Sequence, residues 1–350
     1  MIEQLGLKIL RNFDPEFGHQ IALWILQNRL VLRSKIVTSE RLKTSIAGIK
    51  IPNPIGLAAG FDKNAEVLVG LSKSGFGFVE VGAAPPLPQQ GNAKPRLFRL
   101  DEDKAAINRF GFNNDGMLEI AKRLKKRPSG LVTGLNLGAN KASTDRTADF
   151  TKVLAHCGHF VDFATVNISS PNTKNLRELH AKRALSALLS SVMEARESLK
   201  KQLPIFLKIA PDLDQVELTD IAEIAIEKKI DAIIATNTTL QRDGLKSEHR
   251  AETGGLSGEP LFHPSTRILA QLASLLNSRI PLIGVGGVAS AQDAYDKICA
   301  GASAVQLYTA IVYHGLSLVN KTATDLDRLL KRDGFENISA AVGSRVQEFL

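Results

Sequence analysis

The sequence predicts an α/β chain closed into a (β/α)8 TIM barrel, and three observations predict it. Short apolar runs of strand composition recur eight times, stretches of helical periodicity separate most of them, and nearly every run ends in small or polar residues. Strands alternating with helices argue for parallel pairing through helical crossovers. Eight such strands close into a barrel, whose active site forms at the C-terminal strand ends. At 350 residues and 44% hydrophobic content, the chain can bury the core of one such barrel.

The runs are 55–60 (IGLAAG), 76–83 (FGFVEVGA), 131–138 (LVTGLNLG), 163–168 (FATVNI), 205–210 (IFLKIA), 232–237 (AIIATN), 281–287 (PLIGVGG) and 304–309 (AVQLYT). Helical periodicity fills 182–201, 215–228, 264–277 and 290–300. In order, the strand ends read Ala59-Gly60, Gly82-Ala83, Asn136, Asn167, Lys208, Thr236-Asn237, Gly286-Gly287 and Tyr308-Thr309. A packed core would want bulk there, so eight such ends point to one large shared pocket. GVGG after the seventh strand and YT after the eighth stand where such barrels bind phosphate through backbone donors.

The fourth run is the most telling. In ATVNISSPN (164–172), Asn167, Ser169, Ser170 and Asn172 fall within six residues at the mouth of a strand. Pro171 offers no backbone donor and keeps Ser170 out of the helical region, so the segment reads as a fixed loop holding a hydroxyl between carboxamides. Lys63 and Lys208 follow apolar residues at strand ends, and a buried ammonium needs a partner. An electron-rich ring or a phosphate would serve. The segments 106–114 (AINRFGFNN) and 253–258 (TGGLSG) read as loops supplying further amide and backbone donors.

Residues 1–32 read as two short amphipathic helices. Ile2, Leu5 and Ile9 share a face in the first; Phe17, Ile21 and Trp24, or Ala22, Ile25 and Leu26, do so in the second. Asp14 before Pro15 is an N-cap with proline at the first helical position. The longest apolar run, IALWIL, is far short of the ~20 residues a membrane span needs, and no cleavage site follows it. Two readings stay open on pattern alone: a pair lying in a bilayer interface, or a hairpin packed on the barrel.

The formal charge is +8, from 44 basic and 36 acidic residues. Half of that excess falls in residues 1–50, with eight basic and four acidic side chains. Basic residues beside apolar ones suit an anionic lipid surface, and no aromatic-basic motif argues for nucleic acid. Cys157 and Cys299 lack metal-ligand or redox spacing, so the sequence predicts structural thiols in a reducing compartment and no metal.

Taken together, AAGFDKN (58–64), KPRLFRL (94–100), INRFGFNN (107–114), VNISSPNT (166–173), KIAPDL (208–213), ATNTT (235–239), TGGLSG (253–258), GVGG (284–287) and LYTA (307–310) resemble the dihydroorotate dehydrogenases, in order over residues 50–315. Ser170 at the base position, where the soluble class carries cysteine, and the DPEFGH of the N-terminal extension resemble the membrane-associated, quinone-reducing class. The resemblance implies one non-covalent FMN and oxidation of dihydroorotate to orotate in pyrimidine biosynthesis. Ubiquinone or menaquinone would accept the electrons.

Carried over by motif, FMN contacts fall on Ala59, Gly60, Phe61, Asp62, Lys63, Ala83, Asn136, Asn167, Lys208, Thr236, Gly258, Gly287, Tyr308 and Thr309. Gly258, Gly287, Tyr308 and Thr309 would hold its phosphate. Substrate contacts fall on Lys63, Asn108, Arg109, Phe110, Gly111, Phe112, Asn167, Asn172, Asn237 and Thr238. Ser170 would be the catalytic base, helped by a water relay past Thr173 and Phe112, beneath a lid at 173–184. His19, Arg99 and Tyr308 would line the quinone tunnel. One departure stands out: VGAAPP (81–86) replaces the family's usual VGTVTP, so Ala83 brings no hydroxyl to FMN. A neutral hydrogen bond contributes only about 1 kcal/mol net, so flavin binding should survive.

The expected organisation is an amphipathic membrane and quinone segment at 1–40 and an FMN barrel at 41–350. The expected setting is a monomer held peripherally on the cytoplasmic face of a bacterial inner membrane. Two rivals compete: another FMN barrel oxidoreductase, such as a dihydropyrimidine or hydroxy-acid oxidase, and a catalytically idle flavoprotein docking on membranes. NRFGFNN with SSPNT opposes the first; Ser170, Lys63 and the amide set oppose the second.

Overall fold

The computed structural model describes residues 2–30, 35–169 and 182–350. It opens with helices α1 (Ile2–Arg11) and α2 (Pro15–Gln27), followed by a hairpin of β1 (Thr44–Ile46) and β2 (Ile49–Ile51). Next come β3 (Ile55–Leu57), α3 (Leu68–Leu71), β4 (Phe78–Ala84), β5 (Leu97–Leu100), β6 (Ala105–Asn108), α4 (Met117–Leu124), β7 (Val132–Leu137), α5 (Arg146–Cys157) and β8 (Phe163–Asn167). Then follow α6 (Lys182–Glu197), β9 (Ile205–Ile209), α7 (Gln215–Glu227), β10 (Ala232–Ala235), β11 (Gly255–Gly258), α8 (Phe262–Leu276), β12 (Leu282–Val285), α9 (Ala291–Cys299), β13 (Ala302–Leu307), α10 (Thr309–His314) and α11 (Ser317–Arg332).

Eight strands close into the expected barrel, in the order β3-β4-β7-β8-β9-β10-β12-β13 and back to β3. Every pairing is parallel. Buried on both faces, the strands read as apolar runs with little alternation. Local chemistry starts the helices: Asp14 Oδ1 accepts from Phe17 N at 2.9 Å, Asp145 caps α5, Ser290 caps α9, and Asp214 with Glu217 forms a capping box on α7.

Two apolar clusters hold most of the buried core. Helix faces pack on the outer side of the strands in the large core. A second cluster is built on Phe78, Phe163 and Phe206, closed by Ile46 and Ile51 of the hairpin. Phe163 stacks on Phe206 with ring centroids 4.5 Å apart. Neighbouring glycines make room for this bulk: a Cβ on Gly56 would sit 2.3 Å from Phe78, and one on Gly134 2.1 Å from Phe163.

Two expectations change. The segments read as loops at 106–114 and 253–258 partly form strands: β6 pairs antiparallel with β5 on one side and β11 on the other. The β5–β6 pair is local, but a four-residue strand that joins it from some 150 positions away leaves no local signal. Several barrel strands also end earlier than their apolar runs, with the sixth stopping at Ala235 and the seventh at Val285. The residues that follow, Thr236, Asn237, Gly286 and Gly287, line the site.

The N-terminal pair packs against the barrel, as the second of its two readings has it. Leu26 is buried, its carbonyl so close to Gly70 that a Cβ there would lie 2.6 Å away. Yet Leu5, Ile9, Phe17 and Trp24 are 62%, 51%, 50% and 57% exposed. The hairpin packs on the barrel by one side and presents an apolar face on the other. Among the described residues, no helix is long and apolar enough to cross a membrane.

Candidate active site

A cavity of about 670 Å³ opens at the C-terminal strand ends, and its wall continues onto α1 and α2. Its chemistry starts with Glu80, a fully buried carboxylate on β4. Asn136 Nδ2 and Gln306 Nε2 each donate to it at 2.7 Å. A carboxylate without its proton can only accept, so Asn136 must turn its Nδ2 inward and offer Oδ1 to Asn167 Nδ2, at 2.9 Å. Asn167 Oδ1 then accepts from Ser169 Oγ at 3.1 Å and from Asn237 Nδ2 at 3.4 Å, while Asn237 Oδ1 accepts from Thr238 N at 2.8 Å. One acid thereby fixes the orientation of four carboxamides, those of Asn136, Gln306, Asn167 and Asn237. Lys208 stands opposite Asn167 in strand register. Burial lowers its pKa, and the Glu80 charge opposes that fall.

The second cation, Lys63, lies 4.0 Å from the centre of the Phe110 ring. Burial pulls its pKa down to about 8; Glu16 and Asp62 oppose this and Arg96 assists it. Its loop is tied to the NRFGFNN loop, since Asn114 Nδ2 donates to Lys63 O at 2.7 Å. There Gly111 and Phe112 both have left-handed backbone, with φ of 70° and 55°, a strained arrangement that Gln89 secures by donating to Phe112 O at 2.9 Å.

Toward the hairpin the wall becomes apolar and aromatic. Phe61 packs edge-on between His19 and Tyr308, with centroid separations of 5.2 and 5.6 Å. His19 Nε2–H donates to Phe61 O at 2.9 Å, and burial followed by the nearby Lys63 charge holds the ring neutral, with a pKa of about 3. Burial raises the Tyr308 phenol well above its ordinary range. Arg99 Nη2 donates to Arg11 O and Phe13 O, which secures the turn between α1 and α2.

A family model described as dihydroorotate dehydrogenase matches residues 41–330. The chain belongs to the dihydroorotate dehydrogenase family. It is 58% identical over 351 residues to a dihydroorotate dehydrogenase (quinone) of Cereibacter sphaeroides, covering 100% of this chain and 99% of that one. A Mesorhizobium japonicum protein of the same description is 48% identical over 342 residues, covering 97% and 95%. The crystal structure of ligand-free DHODH from Eimeria tenella superposes with a TM-score of 0.92 at 37% identity, covering 95% of this chain and 99% of that chain. These relatives place the chain in the quinone-dependent class, an oxidoreductase of pyrimidine biosynthesis. The family implies an FMN cofactor and a quinone co-substrate.

The residues present fit a flavin. Gln306 Oε1 is a buried acceptor without a partner on the cavity wall, Lys208 offers a cation, and the amides face the same space. Gly258 and Gly287 have φ of +104° and +73°, and a Cβ on either would strike backbone at 2.4 or 2.5 Å. At these two positions only bare backbone fits.

Of the expected residues, Ala59, Gly60, Phe61, Lys63, Ala83, Asn108, Phe110, Gly111, Phe112, Asn136, Asn167, Lys208, Thr236, Asn237, Thr238, Gly258, Gly287, Tyr308, Thr309, His19 and Arg99 line the cavity. Two do not. Asp62 turns into the protein, where its carboxylate accepts from Glu66 N at 2.8 Å and Val67 N at 3.0 Å. Arg109 lies over the Phe98 ring and pairs with Glu252 at 2.6 Å. Ser170, Asn172, Thr173 and all of the proposed lid up to residue 181 lie outside the described residues. Glu80 and Gln306 escaped the sequence reading, although each is a polar residue inside an apolar run, which was the available signal. Among the described residues no group of side chains could hold a metal.

Proposed function

We propose that the cavity works as two half-sites on either side of one non-covalently held FMN, with dihydroorotate at the polar end and quinone at the hairpin end. The observation that carries this reading is continuity: one cavity is lined both by Lys63, Asn108 and Asn237 and by His19, Leu7 and Ala22. The chemistry supplied by bound FMN is acceptance of a hydride from the substrate and delivery of two electrons to the quinone.

Lys63 meets the substrate carboxylate, and Asn108, Asn167, Asn172, Asn237 and Thr238 meet its ring amides. The backbone of Gly111 and Phe112 closes one side. Ser170 takes the proton from the carbon next to the one that loses hydride. Lys208 favours negative charge at the flavin's polar edge, and Gly258, Gly287, Tyr308 and Thr309 receive the phosphate. His19 stays neutral beside the quinone path; Arg99 holds the turn that frames it. Segment 1–40 forms the quinone and membrane module and 41–350 the barrel. The chain acts as a monomer on the cytoplasmic membrane face.

An anaerobic absorbance spectrum before and after dihydroorotate tests the reductive half. Bleaching of a flavin band that a quinone then restores is expected; a flavin that stays oxidised would overturn the substrate assignment. Ser170→Ala should keep the flavin yet lose most of this bleaching near neutral pH, and full-speed bleaching would remove Ser170 as the base.

A further inference from the structure

Behind the cavity wall at the seventh barrel strand lies a buried cluster that none of these steps uses. Lys297 on α9 is fully buried, and its Nζ donates to Ser265 Oγ at 2.8 Å and Thr266 Oγ1 at 2.9 Å. The ammonium also stands 5.1 Å from the centre of the Phe262 ring. Having accepted from the ammonium, the two hydroxyls must send their own protons elsewhere. Thr266 donates to Phe262 O at 2.7 Å. Ser265 lies 3.1 Å from that same carbonyl and 3.2 Å from Gly286 O. The Ser265 hydroxyl is thus placed between two acceptors, Phe262 O and Gly286 O, and bridges α8 to the Gly286 carbonyl.

That bond orients a peptide. In a trans peptide the C=O and N–H point in opposite directions. A Gly286 carbonyl held back by Ser265 turns the Gly287 N–H away from the cluster, and both glycines line the cavity. The GVGG glycines are the space this cluster needs. A Cβ on Gly284 would lie 2.9 Å from Lys297 Cδ, one on Gly286 2.7 Å from Ser265 Oγ, and one on Gly287 2.5 Å from Phe262 Cα.

The charge is incompletely answered from behind. Burial pulls the Lys297 pKa down to about 7, opposed by Asp293, whose carboxylate also accepts from Ala289 N at 2.9 Å. Lys297 itself is hydrogen-bonded to neutral oxygens. A buried ammonium so placed is costly until a negative charge comes near.

We propose that Lys297 is a positioning residue for an anionic group bound at the Gly286–Gly287 loop, acting through Ser265 and Thr266 and adding positive potential behind the loop. The inference rests on reading that loop as part of the FMN phosphate cradle.

The test uses the full-length chain, stripped of flavin and titrated with FMN or with riboflavin, which shares the ring but lacks the phosphate. The wild type should prefer FMN, and Lys297→Met should cut that preference about tenfold, the scale of one charge-assisted contact, with riboflavin affinity unchanged. Ser265→Ala, which keeps the ammonium but breaks the link to Gly286, should also lower the preference and serves if Lys297→Met does not fold. A preference equal to wild type in the variants, or a matching fall in riboflavin affinity, would reduce Lys297 to a space-filling role and leave the cradle reading intact. A wild type that binds both flavins alike would overturn the cradle reading itself.

Discussion

Glu80 and Lys63 show two ways in which a single buried charge governs a wall of neutral groups. Glu80 works by what it cannot do: without a donor, it forces Asn136, then Asn167, then the groups around Ser169 into one orientation. Glu80→Gln supplies a donor of nearly the same size and lets that chain run either way. We expect a lower melting temperature and about a tenfold loss in the rate of flavin reduction by dihydroorotate, the scale of one or two misdirected buried hydrogen bonds. Unchanged reduction would mean that the amides orient without it.

Lys63 works by what burial does to it. Its pKa is pulled to about 8 from the ordinary lysine range, so Lys63 loses its positive charge as pH rises through that value. Orotate, carrying a carboxylate, should bind more weakly above about pH 8, and Lys63→Met should bind weakly with no such slope. Stability runs the other way: between about pH 8 and the ordinary lysine value the unfolded chain holds more protons, so the folded state gains stability as pH rises. Orotate titration across pH separates these outcomes; a slope that persists in Lys63→Met assigns it to another group.

At the scale of elements, α2 is held in place by an ion pair. Arg96 Nη2 and Nε donate to the two oxygens of Glu16 at 2.7 and 3.1 Å, and both residues are buried. Although burial acts to raise the Glu16 pKa, Arg96 and Lys94 together hold it below the ordinary carboxylate value. The pair therefore stabilises docking above the ordinary carboxylate range and fades as pH falls through the lowered value. Glu16→Gln leaves the Arg96 guanidinium buried without its counter-charge, and breaking such pairs costs about 3–5 kcal/mol. Hydrogen exchange in residues 15–27 should quicken while the barrel strands keep their protection. Equal protection in both would show that α2 is held by its apolar contacts alone.

For the whole molecule, the exposed face of Leu5, Ile9, Phe17 and Trp24 lies on the module that also walls one end of the cavity. If that face meets lipid, a tailed quinone could pass from bilayer to cavity without crossing water. Vesicles containing anionic lipid should shift the emission of Trp24, the sole tryptophan, toward the blue, and salt should weaken the effect. Removing residues 1–32 should leave flavin reduction by dihydroorotate intact while slowing turnover with long-tailed quinones. Normal turnover in the shortened chain would refute the quinone-entrance role of the hairpin.

The sequence by itself determined the barrel, its eight strands and the strand-end positions that line the cavity, because buried parallel strands read as apolar runs and their polar ends stand out. The start of α2 was equally legible, since Asp14 and Pro15 act within a few residues of one another. Tertiary structure alone decided what depends on distant pairing. Strand β11 joins the local β5–β6 hairpin from some 150 residues away. The same holds for Arg109, which stands within a cavity motif but turns to the distant Glu252, whereas Asp62 turns to the backbone donors of nearby Glu66 and Val67. It holds too for Glu80 and Lys297, whose partners come from other strands and helices. Local pattern records which face is apolar; it does not record which buried charge answers which donor, since folding alone brings those groups within reach.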